Sequence, residues 1–350
     1  MITEIIKINS QRPEKNFIEK AARIIKKGDL VAFPTETVYG LGANALNKKA
    51  VKKIFEAKER PLDNPIIVHI AEIKDLSKLA KDIPKEAKIL VKKFWPGPLT
   101  LVLFKKKIVP NEVTAGSETI AIRMPKNKIA LELIKKSGFP IAAPSANLAG
   151  RPSPTEAKDV FEDLGERVDL ILDGGKTKIG VESTVLDLTV KPPLILRPGG
   201  VSLEELKKVL KKVKPHPFLR GEKLKDKIIK SPGMKYRHYA PQAPLILVEG
   251  RGMIKKIKNL IKKYQEKNKK VGILASTERK KFYQGANLIL TPGPRKNLEK
   301  VAQNLFKTLR EFDKKKVDII LAESFPERGI GFAIMHRLKK AAIKEICLKN

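Results

Sequence analysis

Cationic and amide donors stand at the ends of apolar runs in the first 200 residues, at Lys58, Arg60, Asn64, Arg123 and Arg197. Hydroxyls and a further amide accompany them, at Thr35, Thr37, Thr119, Ser145, Asn147, Ser153 and Ser183. Guanidinium forks, ammonium groups and hydroxyls suit an anionic ligand such as a nucleoside triphosphate. They suit catalysis by positioning and charge neutralisation better than catalysis by a covalent nucleophile. Other chemistries lack their residues. Gly175-Lys176-Thr177 has the end of a phosphate-binding P-loop, but Leu170 stands where its first glycine belongs. No HExxH helix or nucleophile elbow occurs, and four histidines with one cysteine are too few for a rich transition-metal centre.

Each of these residues also has an ordinary structural use. Lys58 and Arg60 close a helix, where cations favour the dipole. His69 inside the apolar run 66–70 fits a core histidine. Ser183 and Thr184 fit plain strand positions, and Ser153 fits a helix cap. Taken together, polar groups at the ends of at least five apolar strands point to one shared cleft.

The elements that must hold these groups follow from periodicity and punctuation. Apolar spacing at Phe17, Ala21, Ile24 and Ile25 predicts a helix over 16–27 that Gly28 closes. Leu30-Val31-Ala32-Phe33 reads as a buried strand that Pro34 ends. Gly40 and Gly42 beyond it read as places where the backbone turns tightly or meets a ligand. Val51, Ile54 and Phe55 share a face of a helix over 48–57, and Pro61 and Pro65 stiffen the loop after it. Strands are expected at 2–8, 66–70, 99–104, 119–123, 140–143, 170–172, 183–188 and 194–196, with two short helices over 72–95 and one over 127–137. Ser153, Pro154 and Glu156 have the N-cap, N1 and N3 spacing of a capping box for a helix reaching Gly165. Ser202 with Glu205 repeats the device.

Residues 213–243 are rich in proline and lysine and poor in periodicity, which marks a linker. Beyond it, strands at 245–248, 271–274, 288–290 and 317–321 alternate with helices around 253–267, 297–313 and 332–342. That alternation predicts a small parallel sheet with covering helices. A chain of 350 residues accommodates two such domains.

The net charge is +35, and it is unevenly spread. Residues 201–350 hold 38 basic and 14 acidic side chains, against 35 and 24 in residues 1–200. Most of the excess therefore lies away from the loops that carry chemistry. Solvated lysine-rich faces or thermal adaptation account for it better than specific nucleic-acid binding. At 5% aromatic residues, stacking platforms for single strands are scarce. One cysteine, Cys347, excludes an internal disulfide framework. With no apolar run of membrane-spanning length and no signal-peptide pattern, a cytoplasmic protein without a membrane partner is expected.

Pro34-Thr35-Glu36-Thr37-Val38-Tyr39-Gly40-Leu41, Lys58-Glu59-Arg60-Pro61, Pro144-Ser145-Ala146-Asn147 and Val181-Glu182-Ser183-Thr184 resemble the signature segments of the threonylcarbamoyl-AMP synthases. Pro232-Gly233-Met234-Lys235-Tyr236-Arg237-His238-Tyr239 resembles the linker of their long, two-domain form, and the resemblance runs essentially end to end. It implies an α/β fold: a twisted mixed-sheet YrdC-like catalytic domain over 1–212, a linker or lid over 213–243, and a smaller Rossmann-like parallel-sheet accessory domain over 244–350. It also implies a nucleotidyltransferase. Such an enzyme makes L-threonylcarbamoyl-AMP and pyrophosphate from L-threonine, bicarbonate and ATP with Mg2+, for N6-threonylcarbamoyladenosine in tRNA. Product hand-over to a downstream threonylcarbamoyl transferase complex, with tRNA met only indirectly, comes with the family.

By the same resemblance, Thr37, His69, Arg123, Ala143 and Ser183 bind threonine or its carbamate. Lys58, Arg60, Asn64, Thr119, Ser145, Asn147, Ser153 and Arg197 bind ATP, with Tyr236 and His238 of the linker closing over the cleft. Lys58 and Arg60 take the catalytic role, and no protein side chain is assigned to the metal. The competing class is a non-catalytic protein that binds double-stranded RNA or tRNA through its phosphates. It would explain the charge but not the buried threonines, Asn64 or the linker motif. A regulatory nucleotide sensor would keep the cleft without turnover.

Overall fold

The computed structural model describes residues 2–222, 230–232 and 238–348. It separates into two compact units, Met1–Ala149 with Ser153–Tyr236, and Gly150–Pro152 with Arg237–Asn350.

The first unit runs β1 (Glu4–Lys7), α1 (Lys15–Lys27), β2 (Val31–Pro34), β3 (Tyr39–Asn44), α2 (Lys48–Lys58), β4 (Val68–His69), α3 (Leu76–Leu79), α4 (Lys85–Phe94), β5 (Leu99–Phe104), α5 (Asn111–Thr114), β6 (Thr119–Arg123), α6 (Lys128–Ser137), β7 (Ile141–Ala142), α7 (Ala157–Leu164), β8 (Leu170–Asp173), β9 (Thr184–Asp187), β10 (Leu194–Arg197), α8 (Leu203–Val209) and β11 (Lys214–Pro215). Among the described residues its strands form one mixed sheet in the order β1-β8-β2-β3-β7-β4-β6-β5-β9-β10-β11. Caps set the helix ends. Gly28, at φ 86°, turns its N–H back to the carbonyls of Ile24 and Ile25. Asn47 and Asn127 accept backbone N–H groups at the starts of α2 and α6. Ser202 and Glu205 form the expected capping box on α8.

Strand alternation gives this sheet two unlike faces. On one, Ala32, Leu41, Val68, Leu101, Ile122 and Leu186 enter a large core with Val51, Ile54 and Phe55 of α2 and Leu90 of α4. The other face is divided. Val31, Phe33, Ile141 and Leu170 are covered by Ile18 and Ile25 of α1 and Ile129 and Leu133 of α6. Farther along, Ile67, Val102, Ala121, Val185 and Leu196 make a separate apolar patch, with Leu194 and Phe218 against it. Among the described residues no α-helix contributes to that patch. The register Thr100↔Arg123, Val102↔Ala121, Phe104↔Thr119 sets polar side chains around it on the same face.

Three expectations change. Gly40 and Gly42 lie inside β3 rather than in a turn. A Cβ on Gly42 would stand 2.6 Å from Phe33 Cε1 and 2.8 Å from Ile141 Cγ2, so this glycine makes room for the Phe33 ring. The strand at 66–70 is regular only over Val68–His69: Ile67 and Ile70 each keep one bond to a neighbour, while the Ile66 N–H turns to the Val113 carbonyl. The capping box at Ser153 does not form: α7 starts at Ala157, and Glu156 makes no side-chain cap. Tertiary bonds hold the segment extended instead. The carbonyls of Pro154 and Thr155 accept the N–H groups of Tyr39 and Thr177, and Ser153 Oγ donates to Glu182 Oε1 at 2.5 Å.

The start of the expected linker folds with the first unit. β11 pairs with β10, Leu194↔Lys214 and Ile195↔Pro215. Lys230 Nζ donates to Asp187 Oδ2 at 3.0 Å.

The second unit runs β12 (Leu245–Glu249), α9 (Met253–Gln265), β13 (Val271–Leu274), β14 (Leu288–Leu290), α10 (Leu298–Lys314), β15 (Ile319–Glu323), α11 (Gly331–Ala341) and β16 (Lys344–Cys347). Every pairing is parallel, in the order β14-β13-β15-β12-β16, which is the Rossmann-like sheet expected. Met253, Ile257 and Ile261 of α9 close its core. Tyr239, at φ 64°, stacks on Phe306 at 5.3 Å between ring centres and lies 5.4 Å from the Arg337 guanidinium. Among the described residues no helix is long and apolar enough to cross a membrane.

Candidate active site

The sheet face around the Ile67, Val102, Ala121, Val185 and Leu196 patch gathers residues assigned to threonine. Arg123 ends β6 and is buried, with Nη2 standing 2.7 Å from Glu36 Oε2 and Nε donating to the Gly97 carbonyl at 3.3 Å. The contact with Glu36 is an ion pair only: neither carboxylate oxygen of Glu36 nor Arg123 Nη2 completes a hydrogen bond. The guanidinium therefore keeps donor capacity for a ligand carboxylate. His69 is the register partner of Arg123 on β4, and Phe33 meets its ring edge-on at 6.5 Å between centroids. Burial, and then the charge of Arg123, push the imidazole down to about 3. It is neutral at pH 7, when one ring nitrogen donates and the other accepts. Nδ1 has no hydrogen-bond partner in the protein.

The turn between β2 and β3 supplies Thr37. Thr35 Oγ1 bonds the Val38 carbonyl at 2.7 Å and lies 2.8 Å from Thr37 Oγ1, a hydroxyl-made turn that fixes both threonines. The N–H groups of Ile179 and Gly180 donate to the carbonyls of Glu36 and Thr37, which docks the loop leading to Ser183 onto this turn. Ser183 Oγ lies 2.8 Å from Thr100 Oγ1. Arg197 Nη2 reaches Ser183 Oγ at 3.2 Å and its carbonyl at 3.0 Å. Ala143 follows β7 with its N–H on the Ile67 carbonyl and lies buried in the core under α1 and α6, not among the polar side chains of the cluster.

The residues assigned to ATP fall into neighbouring clusters. Lys58 ends α2 almost wholly buried, with Nζ donating to the carbonyls of Ser145, at 2.5 Å, and of Asn147. It ties the Pro144–Asn147 segment to the helix end. Arg60 braces the proline loop: Nε and Nη2 donate to the Asn64 carbonyl at 3.2 and 3.1 Å, and Nη2 to that of Pro65 at 2.9 Å. Asn64 is buried, and its Oδ1 has no hydrogen-bond partner. Thr119 begins β6, its hydroxyl 2.8 Å from Ser117 Oγ. Arg123 is four positions farther along the same face, about 13 Å at about 3.3 Å per residue, with Ala121 between. Ser153 is held by Glu182. His238 belongs to the second unit, where its ring lies 5.7 Å from that of Tyr239, and Tyr236 lies outside the described residues.

The structure adds Glu36, Thr100 and Glu182 to these clusters. Two of them stand within the motif segments, but a search for donors to an anion passes over carboxylates. Among the described residues the grouping of His, Cys, Asp and Glu close enough to hold a metal is Glu249, Glu345 and Cys347 of the second unit, not a set in this cleft.

Known proteins match both units. A family model described as telomere recombination covers residues 23–199, and one described as threonylcarbamoyl-AMP synthase, C-terminal domain, covers 201–343. The threonylcarbamoyl-AMP synthase of Pyrococcus abyssi is 53% identical over 346 residues, 97% of this chain and 98% of that one. Its counterpart in Bacillus subtilis is 52% identical over 326 residues, 93% of this chain and 92% of that one. A crystal structure of P. abyssi Sua5 complexed with L-threonine matches over 100% of both chains, at 50% identity and a TM-score of 0.92. The chain belongs to the threonylcarbamoyl-AMP synthase family, in its long, two-domain form.

Proposed function

We propose that the chain makes L-threonylcarbamoyl-AMP and pyrophosphate from L-threonine, bicarbonate and ATP. One observation carries this reading. Arg123, neutral His69, Thr37 and Ser183 lie together beside the apolar patch of one sheet face, and the Ser183–Arg197 bonds join that group to the residues assigned to ATP. Arg123 pairs the threonine carboxylate, while His69, Thr37 and Ser183 take its hydroxyl and amine. The amine and bicarbonate give a carbamate and water. The carbamate oxygen then attacks the α-phosphate of ATP, the bond to the β-phosphate breaks, and pyrophosphate leaves. No protein nucleophile is required. The chain's task is to hold two anions together and offset charge as it builds.

Lys58 and Arg60 are positioned for that task differently from a free cation at a helix end. Each is bonded to loop carbonyls, so each shapes the loop that meets the phosphates as well as lending charge. Glu36 faces Arg123, Glu182 holds Ser153 and Asp187 pairs with Lys230, so these carboxylates are engaged. This donor set fits Mg2+ that arrives on the phosphates with its waters, where it neutralises their charge. The linker is proposed to act as a lid that shields the mixed anhydride from water. The product passes in the cytoplasm to a threonylcarbamoyl transferase complex, so tRNA is met indirectly.

Pyrophosphate release measured with and without threonine and bicarbonate tests the reading. Release that needs both is expected. Threonine-independent release, or tight tRNA binding without turnover, would overturn it. In the same assay, replacing 233–239 by a Gly/Ser segment should lower retention of the adenylate. Full retention would reduce the linker to a tether.

A further inference from the structure

The second unit holds a cluster of buried charge that the reaction does not use. In its sheet, β13 and β15 are adjacent and parallel, yet the chain leaves them in opposite directions. From β13 it moves outward to β14, and from β15 it crosses through α11 to β16 on the far side of β12. Their carboxyl ends are therefore a topological switch point, where open α/β sheets leave a crevice for ligands. Ser276 follows β13 there, and Glu323 ends β15.

Glu323 is wholly buried, and both its oxygens are taken. Tyr283 Oη donates to Oε1 at 2.6 Å, while Ser276 donates to Oε2 through N at 3.0 Å and Oγ at 3.2 Å. Two arginines flank this single carboxylate. Arg279 Nη1 is a buried atom 3.9 Å from Glu323 Oε1 and makes no hydrogen bond. Arg295 donates through Nη1 to the Ser324 carbonyl, and its guanidinium lies 5.7 Å from the Phe325 ring centre. Burial, and then the charge of Arg279, lower the Arg295 pKa, so the two cations feel each other. Glu278 is exposed, accepts the Arg295 backbone N–H at 2.9 Å and also acts by its charge on the Arg295 guanidinium. The two guanidinium groups thus share one buried carboxylate, and the second, Glu278, is exposed to solvent, so the buried part of the cluster is short of negative charge and a bound anion would offset that cost.

We propose that the crevice between the carboxyl ends of β13 and β15 binds a phosphate group, held by Arg279 and Arg295, free or carried on a nucleotide. Two guanidinium groups, one on the 3-10 helix Thr277–Tyr283 and one on the loop before α10, offer more donors than a planar carboxylate accepts, and a tetrahedral phosphate uses them. The site is separate from the ATP-binding residues proposed for the first unit, and it does not depend on the reaction assigned there.

Hydrogen exchange on the full chain, with orthophosphate and with AMP as separate probes, tests this. Orthophosphate should slow exchange in peptides covering 275–283 and 293–297. Protection by AMP alone would assign a nucleotide phosphate instead. Arg279→Gln should weaken phosphate binding about tenfold in calorimetry, the scale of one charge-assisted hydrogen bond. Arg60→Ala should leave protection of these peptides intact, because it alters only the first unit. Should Arg279→Gln fail to fold, Arg279→Lys keeps the charge without the fork and should still weaken binding severalfold. Absence of protection by either probe, or protection unchanged in the folded Arg279 variants, overturns the proposal.

Discussion

His69 should make the first unit acid-sensitive by an amount that can be worked out in advance. Its imidazole sits at about 3 in the fold against an ordinary 6.5, because it is buried beside Arg123. Below about pH 6.5 the unfolded chain takes up a proton at this position that the folded chain refuses. The unfolded state then binds more protons, so stability falls as pH drops, from about 6.5 down to about 3. Each pH step of one costs about 1.4 kcal/mol. Moving from about pH 7.5 to about pH 4.5 should therefore remove about 3 kcal/mol through this side chain alone. Other groups titrate in the same range, so the comparison is with His69→Gln, which cannot take the proton. Trp95 is the chain's single tryptophan and is buried in the first unit, with Nε1 on the Leu99 carbonyl at 2.7 Å. Its fluorescence during urea unfolding follows that unit. Wild type should lose about 3 kcal/mol more than His69→Gln between the two pH values. Equal losses in both proteins would refute the argument that His69 is buried neutral.

Gly42→Ala would set a Cβ 2.6 Å from the Phe33 ring, and overpacking of this kind costs about 1–3 kcal/mol. Because Phe33 braces His69, threonine affinity measured by calorimetry should fall as well. An Ala variant as stable as wild type would show that Phe33 has room to move. Arg123→Lys should weaken threonine binding far more than ATP binding, since an ammonium cannot copy the guanidinium fork. Equal losses for the two ligands would remove Arg123 from the threonine site. Arg60→Ala should cut pyrophosphate release by about 100-fold or more while circular dichroism stays native. Unchanged release would leave Arg60 only its bonds to the Asn64 and Pro65 carbonyls.

The sequence was most legible where one local rule decides. Gly28 ends α1, Ser202 and Glu205 cap α8, and β6 occupies 119–123, because a left-handed cap, a capping box and an apolar run each need only neighbouring residues. The alternation beyond residue 244 was enough for a parallel sheet. It failed where a distant partner competes. Ser153-Pro154-Thr155-Glu156 has every local mark of a helix start, yet Tyr39, Thr177 and Glu182 take its carbonyls and hydroxyl. β3 was hidden because its glycines carry no strand signal, and the reason for Gly42 is the Phe33 ring of the preceding strand together with Ile141. β16, a short edge strand reading Lys-Glu-Ile-Cys, has too little apolar character to register. In the site, donors for an anion were visible as residue types. The Glu36–Arg123 ion pair and the Thr100–Ser183 contact were not, because each joins residues far apart in the chain.

The order of strands in the first sheet also sets when the cleft can exist. β1 finds its partner in β8, Glu4 against Leu170, and β5 finds one of its own in β9, Leu99 against Thr184. At about 5–20 residues per second, the ribosome needs on the order of ten seconds or more to bring Leu170 out after Glu4. Until then β1 and β2 have exposed edges, and the apolar side of β5 waits for a neighbour. Pairings this remote give slow, late closure. The binding face is consequently among the last parts of the unit to form, since Ser183 and Arg197 lie on or beside the strands that complete it. A ribosome stalled before β9 would release a chain with Thr37, Lys58, Arg60 and Arg123 already made but no cleft to place them in, and with unpaired strand edges open to other chains.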